Sequence, residues 1–432
     1  MSMPTKKINI ITLGCAKNQV DSEALWSQLE GNNLEITSSL ADASIAVINT
    51  CGFIDEAKKQ SVETILETVR LKNEGKLEKV IVMGCLSERY HNDLAKEIPE
   101  VDRFFGTNDV PQIVNELGGN YKYDLLGERS LLSPAYSAYL KISEGCDNPC
   151  SFCSIPIMRG KHQSKPVEQI MDEVMKLVAK GVKELVVIGQ DTTYYGLDLY
   201  KERSLPSLLR SLASVKELEW VRLMYAYPAK FPLELLEVFK EHSNICRYLD
   251  IPIQHASDNV LKSMRRGITR RATESLIGSI RNSVPDVALR TTLIVGYPNE
   301  TEGDVEELVE FIKAVRFDRL GVFTYSREDD TGAYDLGDPI PQEEKEARRA
   351  RIMDIQREIS CEQNEGRIGK LTRAVVERFE EGAYGGRTEW DAPEIDNEIF
   401  ITPSPGQQLE VGEFVDVRIN DAAEFDLYGE VV

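Results

Sequence analysis

The sequence predicts an α/β protein in three parts: an N-terminal parallel-sheet α/β domain, a central partial barrel of six βα units, and a small all-β barrel at the C-terminus. Three observations predict it. Apolar runs alternate with helical patterns as far as about Leu117, the mark of a parallel sheet covered by helices on both faces. The same alternation resumes from about Leu140 to Tyr325. Beyond a long charged helix the pattern changes to short alternating runs separated by Gly, Pro, Asn and Asp, which reads as a small closed sheet. A chain of 432 residues has room for several domains, and the expected divisions are 1–130, 131–366 and 367–432.

In the first part "INIITLG", "SIAVINT" and "KVIVMG" read as buried strands. "DSEALWSQLEG", with an acidic first turn and a glycine stop, "FIDEAKKQSVETILETVRL" and "SERYHNDLAKEI" read as the helices between and after them. In the second part the strands are "AYLKIS", "ELVVIG", "WVRLMYA", "YLDIPI", "VALRTTLIVG" and "LGVFTYS", with helices such as "PVEQIMDEVMKLVAKG" and "TEGDVEELVEFIKAV". Six units suit an open or partial barrel, whose function collects at the carboxyl ends of the strands. "PQEEKEARRARIMDIQREISCEQNEGRIG" is a connector helix, and "LTRAVVERF", "EIFITPS", "EFVDVRIN" and "FDLYGEVV" are the strands of the last part.

No apolar stretch approaches membrane-spanning length. Lys6, Lys7 and the short run before Gly14-Cys15 look superficially like a lipoprotein signal, but the apolar part is too short and the cysteine too early. Eight cysteines in so long a chain suit thiols or metal ligands in a reducing cytoplasm rather than a disulfide scaffold. A net charge of −21 argues against a general nucleic-acid binder and suits a basic partner.

"EGCDNPCSFCSIP" sets Cys146, Cys150 and Cys153 in the spacing C-x3-C-x2-C, on the loop after the first strand of the βα array. Three thiolates so close suit a soft metal centre. Zinc would want a fourth ligand, for which His162 is a weakly motivated candidate; a cubane iron-sulfur cluster normally takes four cysteines, so three leave one iron open. Three more cysteines, Cys15, Cys51 and Cys85, each follow a strand of the first part. In a parallel sheet those ends share one edge, so residues scattered along the sequence converge on a second three-thiolate site. Gly14 then reads as a small residue that permits close approach. Cys246 and Cys361 share no such placement and read as structural.

The central triplet, in that loop, resembles the radical S-adenosylmethionine (SAM) superfamily. The three parts together resemble the radical SAM methylthiotransferase family over essentially the whole chain, with the C-terminal barrel as its TRAM domain. The resemblance implies two 4Fe-4S clusters and SAM as cofactors. One cluster, on Cys146, Cys150 and Cys153, would cleave SAM to a radical that takes hydrogen from unactivated carbon. The other, on Cys15, Cys51 and Cys85, would supply methylated sulfur. It further implies SAM contacts at Gly189, Gln190 and Asp191 in "VIGQDTT", at Gln254 in "IPIQHAS", and at Arg290 and Gly296 in "ALRTTLIVGYP". Arg159 in "MRG" would neutralise a carboxylate or lie in solvent.

The wording "TLGCAKNQVDSE", "EGCDNPCSFCSIPIMRGKHQSKP" and "FDLYGEVV" resembles the RimO-like branch, which modifies an aspartate of the small ribosomal subunit's protein number twelve. The MiaB-like branch, which modifies an adenosine of tRNA, typically has Met where this chain has Lys17. From Gly369 to Val432 there are five Lys and Arg against fifteen Asp and Glu, a barrel that repels RNA and attracts a basic protein. The expected partners are therefore that ribosomal protein, free or on the ribosome, and external electron and sulfur donors; direct tRNA binding and a membrane are not expected. Trp390, Phe400 and Tyr428 read mostly as core aromatics. The remaining alternatives are tRNA methylthiolation and a non-catalytic metal-binding module.

Overall fold

A computed structural model describes residues 6–432; the first five residues of the expected N-terminal domain lie outside the described residues. The N-terminal sheet has five strands, β1 (Lys7–Thr12), β2 (Glu35–Ile36), β3 (Ile45–Thr50), β4 (Lys79–Gly84) and β5 (Arg103–Phe104), all parallel, in the order β2-β1-β3-β4-β5. The three central strands are the three apolar runs of the sequence, with β3 buried along its whole length. The two edge strands are two residues long and carry no periodic signal. The first helix differs from expectation. It spans Ala16–Gly31, starting before Asp21, and has no acid in its first turn. The Cys15 carbonyl already accepts the Gln19 N–H at 3.2 Å, so the helix starts there.

The central sheet is built from β6 (Ser137–Lys141), β9 (Glu184–Ile188), β10 (Trp220–Leu223), β11 (Ile245–Asp250), β12 (Ala288–Val295) and β13 (Arg319–Thr324), six parallel strands paired in chain order and open between its two ends. Two short strands, β7 (Ser143–Glu144) and β8 (Gln163–Ser164), pair antiparallel and close the base of the loop between them. One face of the open barrel packs its leucines, valines and isoleucines against the surrounding helices. The other presents Tyr139, Val186, Trp220, Cys246 and Tyr248 to the C-terminal barrel, whose Phe414 ring meets Trp220 edge-on at 4.9 Å.

That barrel closes in the order β14-β15-β16-β18-β17, with β14 (Leu371–Glu380), β15 (Ala383–Thr388), β16 (Ile399–Thr402), β17 (Phe414–Ala422) and β18 (Leu427–Val431). Strand β15, "AYGGRT", is not among the strands expected from the sequence. A side chain at Gly386 would run into the Val375 carbonyl across the ladder, so the close pairing of β14 and β15 requires glycine there. Trp390 is buried as expected. Phe400 and Tyr428 instead stack at 5.3 Å on the outer wall, with Tyr428 40% exposed. Cys246 lies in the core, whereas Cys361 is half-buried on the connector helix Gln342–Glu365 and points at Glu365 rather than into any core.

Charged groups join the two barrels. The fully buried Glu184 accepts from Arg387 at 2.7 Å and from Arg222 at 3.1 Å. Arg319 grips Asp391 at 2.6 Å. Burial alone would raise the Glu184 carboxyl, but the two guanidiniums outweigh it and hold it down at about 2. The depressed value means stability that is complete above the unfolded-state value of 4.5 and lost as pH falls from there toward about 2. The expected outcome is an acid transition in that window, read by fluorescence of Trp220 and Trp390. Glu184→Gln should remove that dependence and lower stability at neutral pH by about 3–5 kcal/mol, because two guanidiniums lose a buried partner.

Candidate functional site

The cysteines of the N-terminal sheet stand where its strands end. Cys15 precedes the first helix as its N-cap, Cys51 directly follows β3, and Cys85 opens the helix Cys85–Glu97 after β4. The three converge. Gly14 has φ +91°, and a Cβ on it would stand 2.6 Å from the Cys51 Cβ and 3.0 Å from its Sγ. The space that glycine leaves is therefore filled by Cys51. A Cβ on Gly52 would meet the Leu86 backbone at 2.8 Å and the Cys85 carbonyl carbon at 3.0 Å. The Cys85 thiol faces Asn18 Oδ1 at 3.8 Å, one turn past Cys15. Burial pushes the Cys85 thiol up to about 12, against the pull of Arg159, and raises Cys51 as well.

Cys146, Cys150 and Cys153 lie on the loop closed by β7 and β8. The loop is fastened from behind through Ser151, whose N–H donates to the Met264 carbonyl at 3.0 Å and whose hydroxyl donates to the Ser263 carbonyl at 2.8 Å. Arg266 donates to the Cys150 sulfur at 3.2 Å and lies over Tyr227, whose hydroxyl is 3.7 Å from the same sulfur. Burial raises Cys146 to about 11 and Cys153 to about 12.

The two cysteine-bearing edges face each other, and Arg159 spans them. It follows the second triplet in sequence, is 4% exposed, and donates to Cys85 Sγ at 3.2 Å, Asn18 Oδ1 at 2.5 Å, Asp21 at 2.7 Å and Glu144 at 3.1 Å. It is a buried crosslink, not a solvated arginine. Lys141 pairs with Asp21 and, at 2.6 Å, with Glu144. A second clamp sets Glu328, on the loop after β13, against Lys58 at 3.0 Å and Arg89 at 2.5 Å. Lys17 lies between the edges with its ammonium 3.0 Å from the Tyr225 ring centroid, and burial pulls it down to about 8.

The other candidates divide. A Cβ on Gly189 would stand 2.7 Å from the Ser143 hydroxyl. Gln190 donates to Glu144 at 2.6 Å, while its Oε1, the Ser143 hydroxyl and the Gln254 Oε1 are buried acceptors with no partner. Asp191 accepts from Asn148 of the cysteine loop at 2.8 Å and caps the following turn through Thr193. Arg290 is not at a strand end. It is the third residue of β12 and pairs with Asp250 at 3.0 Å and with Asp396 of the C-terminal barrel at 3.3 Å. Gly296, with φ +76°, abuts the Lys345 side chain of the connector helix. His162 is held by Ser164 at 3.0 Å and lies 4.7 Å from the Tyr194 ring.

Among the described residues no group of three or more His, Cys, Asp or Glu side chains is arranged as a ready metal cage. The Cys85 and Cys150 sulfurs each accept a hydrogen bond from an arginine. The donor set nevertheless fits a soft metal group: three thiols per site on backbones fixed from behind, a guanidinium against each, and orphaned acceptors at neighbouring strand ends. Arg266, Tyr227, Asn18 and Asp21 are not among the site residues the sequence predicts. Asn18 and Asp21 carried one readable signal, polar residues one helical turn apart directly after Cys15.

The open six-stranded barrel, with thiols on the loop after its first strand, defines a radical SAM protein. Residues 140–312 match the Radical SAM superfamily, 7–106 match the family described as "Uncharacterized protein family UPF0004", and 368–432 match the TRAM domain. The fold is similar to that of the radical SAM methyltransferase TsrM from Kitasatospora setae, solved with cobalamin and a [4Fe-4S] cluster, with TM-score 0.57 at 15% identity over 77% of each chain. The cobalamin-dependent enzyme OxsB gives 0.52 at 13% identity over 77% of this chain and 55% of that one.

The chain is 53% identical over 428 residues to ribosomal protein uS12 methylthiotransferase RimO of Cytophaga hutchinsonii, covering 99% of this chain and 98% of that protein. It is 52% identical over 434 residues to the RimO of Chloroherpeton thalassium, covering all of both. The chain belongs to the RimO methylthiotransferase family. No helix among the described residues is long and apolar enough to cross a membrane.

Gly14→Ala should expel Cys51 from its place. The expected outcome is a loss of about 1–2 kcal/mol from left-handed backbone strain alone, seen as a lower Tm, together with faster alkylation of Cys51 in the cluster-free protein, read by peptide mass spectrometry.

Proposed function

We propose that this chain β-methylthiolates an aspartate of ribosomal protein uS12, with one 4Fe-4S cluster held by Cys146, Cys150 and Cys153, a second by Cys15, Cys51 and Cys85, and SAM between them. The observation that carries the reading is the apposition of the two cysteine edges through Arg159. Sulfur bound on one edge then has a short path to carbon activated on the other. The chemistry those groups supply when bound is one-electron cleavage of a sulfonium C–S bond and delivery of methylated sulfur.

The chain's own residues supply position and charge. Arg159 and Arg266 place a guanidinium beside one sulfur of each triplet, a positive charge that offsets the negative charge of a thiolate-ligated group. Ser151 and the β7–β8 ladder fix the cysteine loop. The unpartnered acceptors of Gln190, Gln254 and Ser143 suit the ammonium and hydroxyl groups of SAM, and Gly189 leaves room for it. Asp191 acts by holding Asn148, whereas Arg290 and Gly296 are structural here. On the C-terminal barrel, exposed Asp and Glu outnumber exposed Lys and Arg eight to three, a surface suited to a basic ribosomal protein. Electrons and sulfur come from external donors.

The test is anaerobically reconstituted protein with SAM and reductant, offered uS12 and tRNA separately, with mass spectrometry of both. Methylthiolated uS12 is expected; modification of tRNA alone would overturn the reading. Cys150→Ala should abolish deoxyadenosine formation. Cys51→Ala should leave SAM cleavage and stop sulfur insertion, and continued methylthiolation by that variant would remove the N-terminal triplet from the reaction.

A further inference from the structure

Lys17 breaks two local rules at once. It is the second residue of the helix Ala16–Gly31, where the positive end of the helix dipole disfavours a cation. It is also only 7% exposed, and an ammonium withdrawn from water normally takes an anionic partner. Among the described residues it has neither an ion pair nor a hydrogen bond; its ammonium lies over the face of Tyr225 at 3.0 Å, with Cys15 the foremost of the charged groups that act on it. A cation–π contact alone does not offset the cost of withdrawing the charge from water.

The carboxylates that act on Lys17 electrostatically, Asp250 and Glu144, are satisfied elsewhere. Asp250 accepts from Arg290 at 3.0 Å and from the Tyr225 N–H at 3.0 Å. Glu144 accepts from Lys141, Arg159 and Gln190. Lys17 is buried but not fully sealed, keeping 7% exposure. It projects two residues beyond Cys15 against Tyr225, on the loop after β10, and so stands between the two halves.

We infer that Lys17 is the binding residue for a carboxylate, that of the aspartate being modified, which it holds between the two cysteine edges. The inference rests on the proposed function and deepens it. A charged hydrogen bond from Lys17 to that carboxylate fixes the side chain one bond from the β-carbon that reacts, and it gives the site a preference for aspartate over its uncharged isostere asparagine. SAM also carries a carboxylate, on its methionyl end. The position of Lys17 on the Cys15 side, across from the loop of Cys146, Cys150 and Cys153, favours the peptide.

Equilibrium binding distinguishes the two without turnover. A peptide of uS12 carrying the target aspartate, and the same peptide with asparagine, are titrated into reconstituted protein without reductant, and SAM affinity is measured alongside. Wild-type protein should prefer the aspartate peptide by roughly tenfold to hundredfold. Lys17→Met should bring that ratio close to one while leaving asparagine-peptide and SAM affinity unchanged, and Lys17→Arg should keep part of the preference. Equal weakening of both peptides by Lys17→Met would make the lysine part of the scaffold and overturn the inference. So would an intact preference with weakened SAM binding, which would give the lysine to the cofactor. A wild-type protein that binds neither peptide would overturn the proposed function as well, whereas uS12 modification with no coupling at Lys17 would overturn this inference alone.

Discussion

A buried guanidinium and its partners hold the two halves of the site in register. Arg159 and Lys141 from the central barrel face Asp21 from the N-terminal helix and Glu144 from the start of the cysteine loop, two bases against two acids. Such a network adds little net stability over apolar packing, because desolvation offsets the Coulomb attraction. What it supplies is direction: the bonds of Arg159 to Asp21, Asn18 and Cys85 can all form only in one placement of the two sheets. Because Asp21 belongs to one half and both bases to the other, the network is complete only when the edges are apposed. A second buried set extends the constraint behind the site, where Arg129 joins Glu23 of the first helix to Glu173 of a barrel helix at 2.5 and 2.9 Å.

An open barrel of six strands creates a second problem, since its inner wall is apolar at one end and would face water. The C-terminal barrel covers that wall, and the joint explains part of its unusual composition. Asp391 and Asp396 are not surface charges; they receive Arg319, Arg290 and Tyr248. Arg387, one of the barrel's few bases, is spent on Glu184 and Glu377. The acidity therefore has two origins, a buried share that docks the barrel and an exposed share that still outnumbers the exposed bases. Only the second bears on the choice of partner.

Strand ends were legible in the sequence because burial and parallel pairing impose a local signal. The runs that end at Thr12, Thr50 and Gly84 are apolar throughout, and placing a cysteine after each needs no tertiary information. The six βα units followed from the same signal. Elements whose identity depends on a neighbour were not legible. Strand β15 exists because its glycines let β14 approach, and β2 and β5 are too short to show a period. Arg290 reads as a strand-end residue in the sequence, yet it lies near the start of an eight-residue strand, where its partner Asp396 comes from more than a hundred residues later. Pairings across such distances set what an arginine does, and composition is blind to them.

Several departures from local preference stand around the two cysteine triplets. Gly14 with φ +91°, Gln254 with φ +73°, the orphaned oxygens of Ser143, Gln190 and Gln254, and a lysine at a helix N-terminus all lie at the carboxyl edges of the two sheets. The charged groups behind those edges, by contrast, are paired: Glu184, Arg129 and Arg319 each have a buried partner of opposite sign. Other unpartnered polar atoms, those of Gln356, Asn364, Arg367 and Trp390 among them, lie at the connector helix and the C-terminal barrel, apart from both sets of three thiols. The ones between the two sets of three thiols are those that a bound group can satisfy, so binding rather than folding completes their interactions.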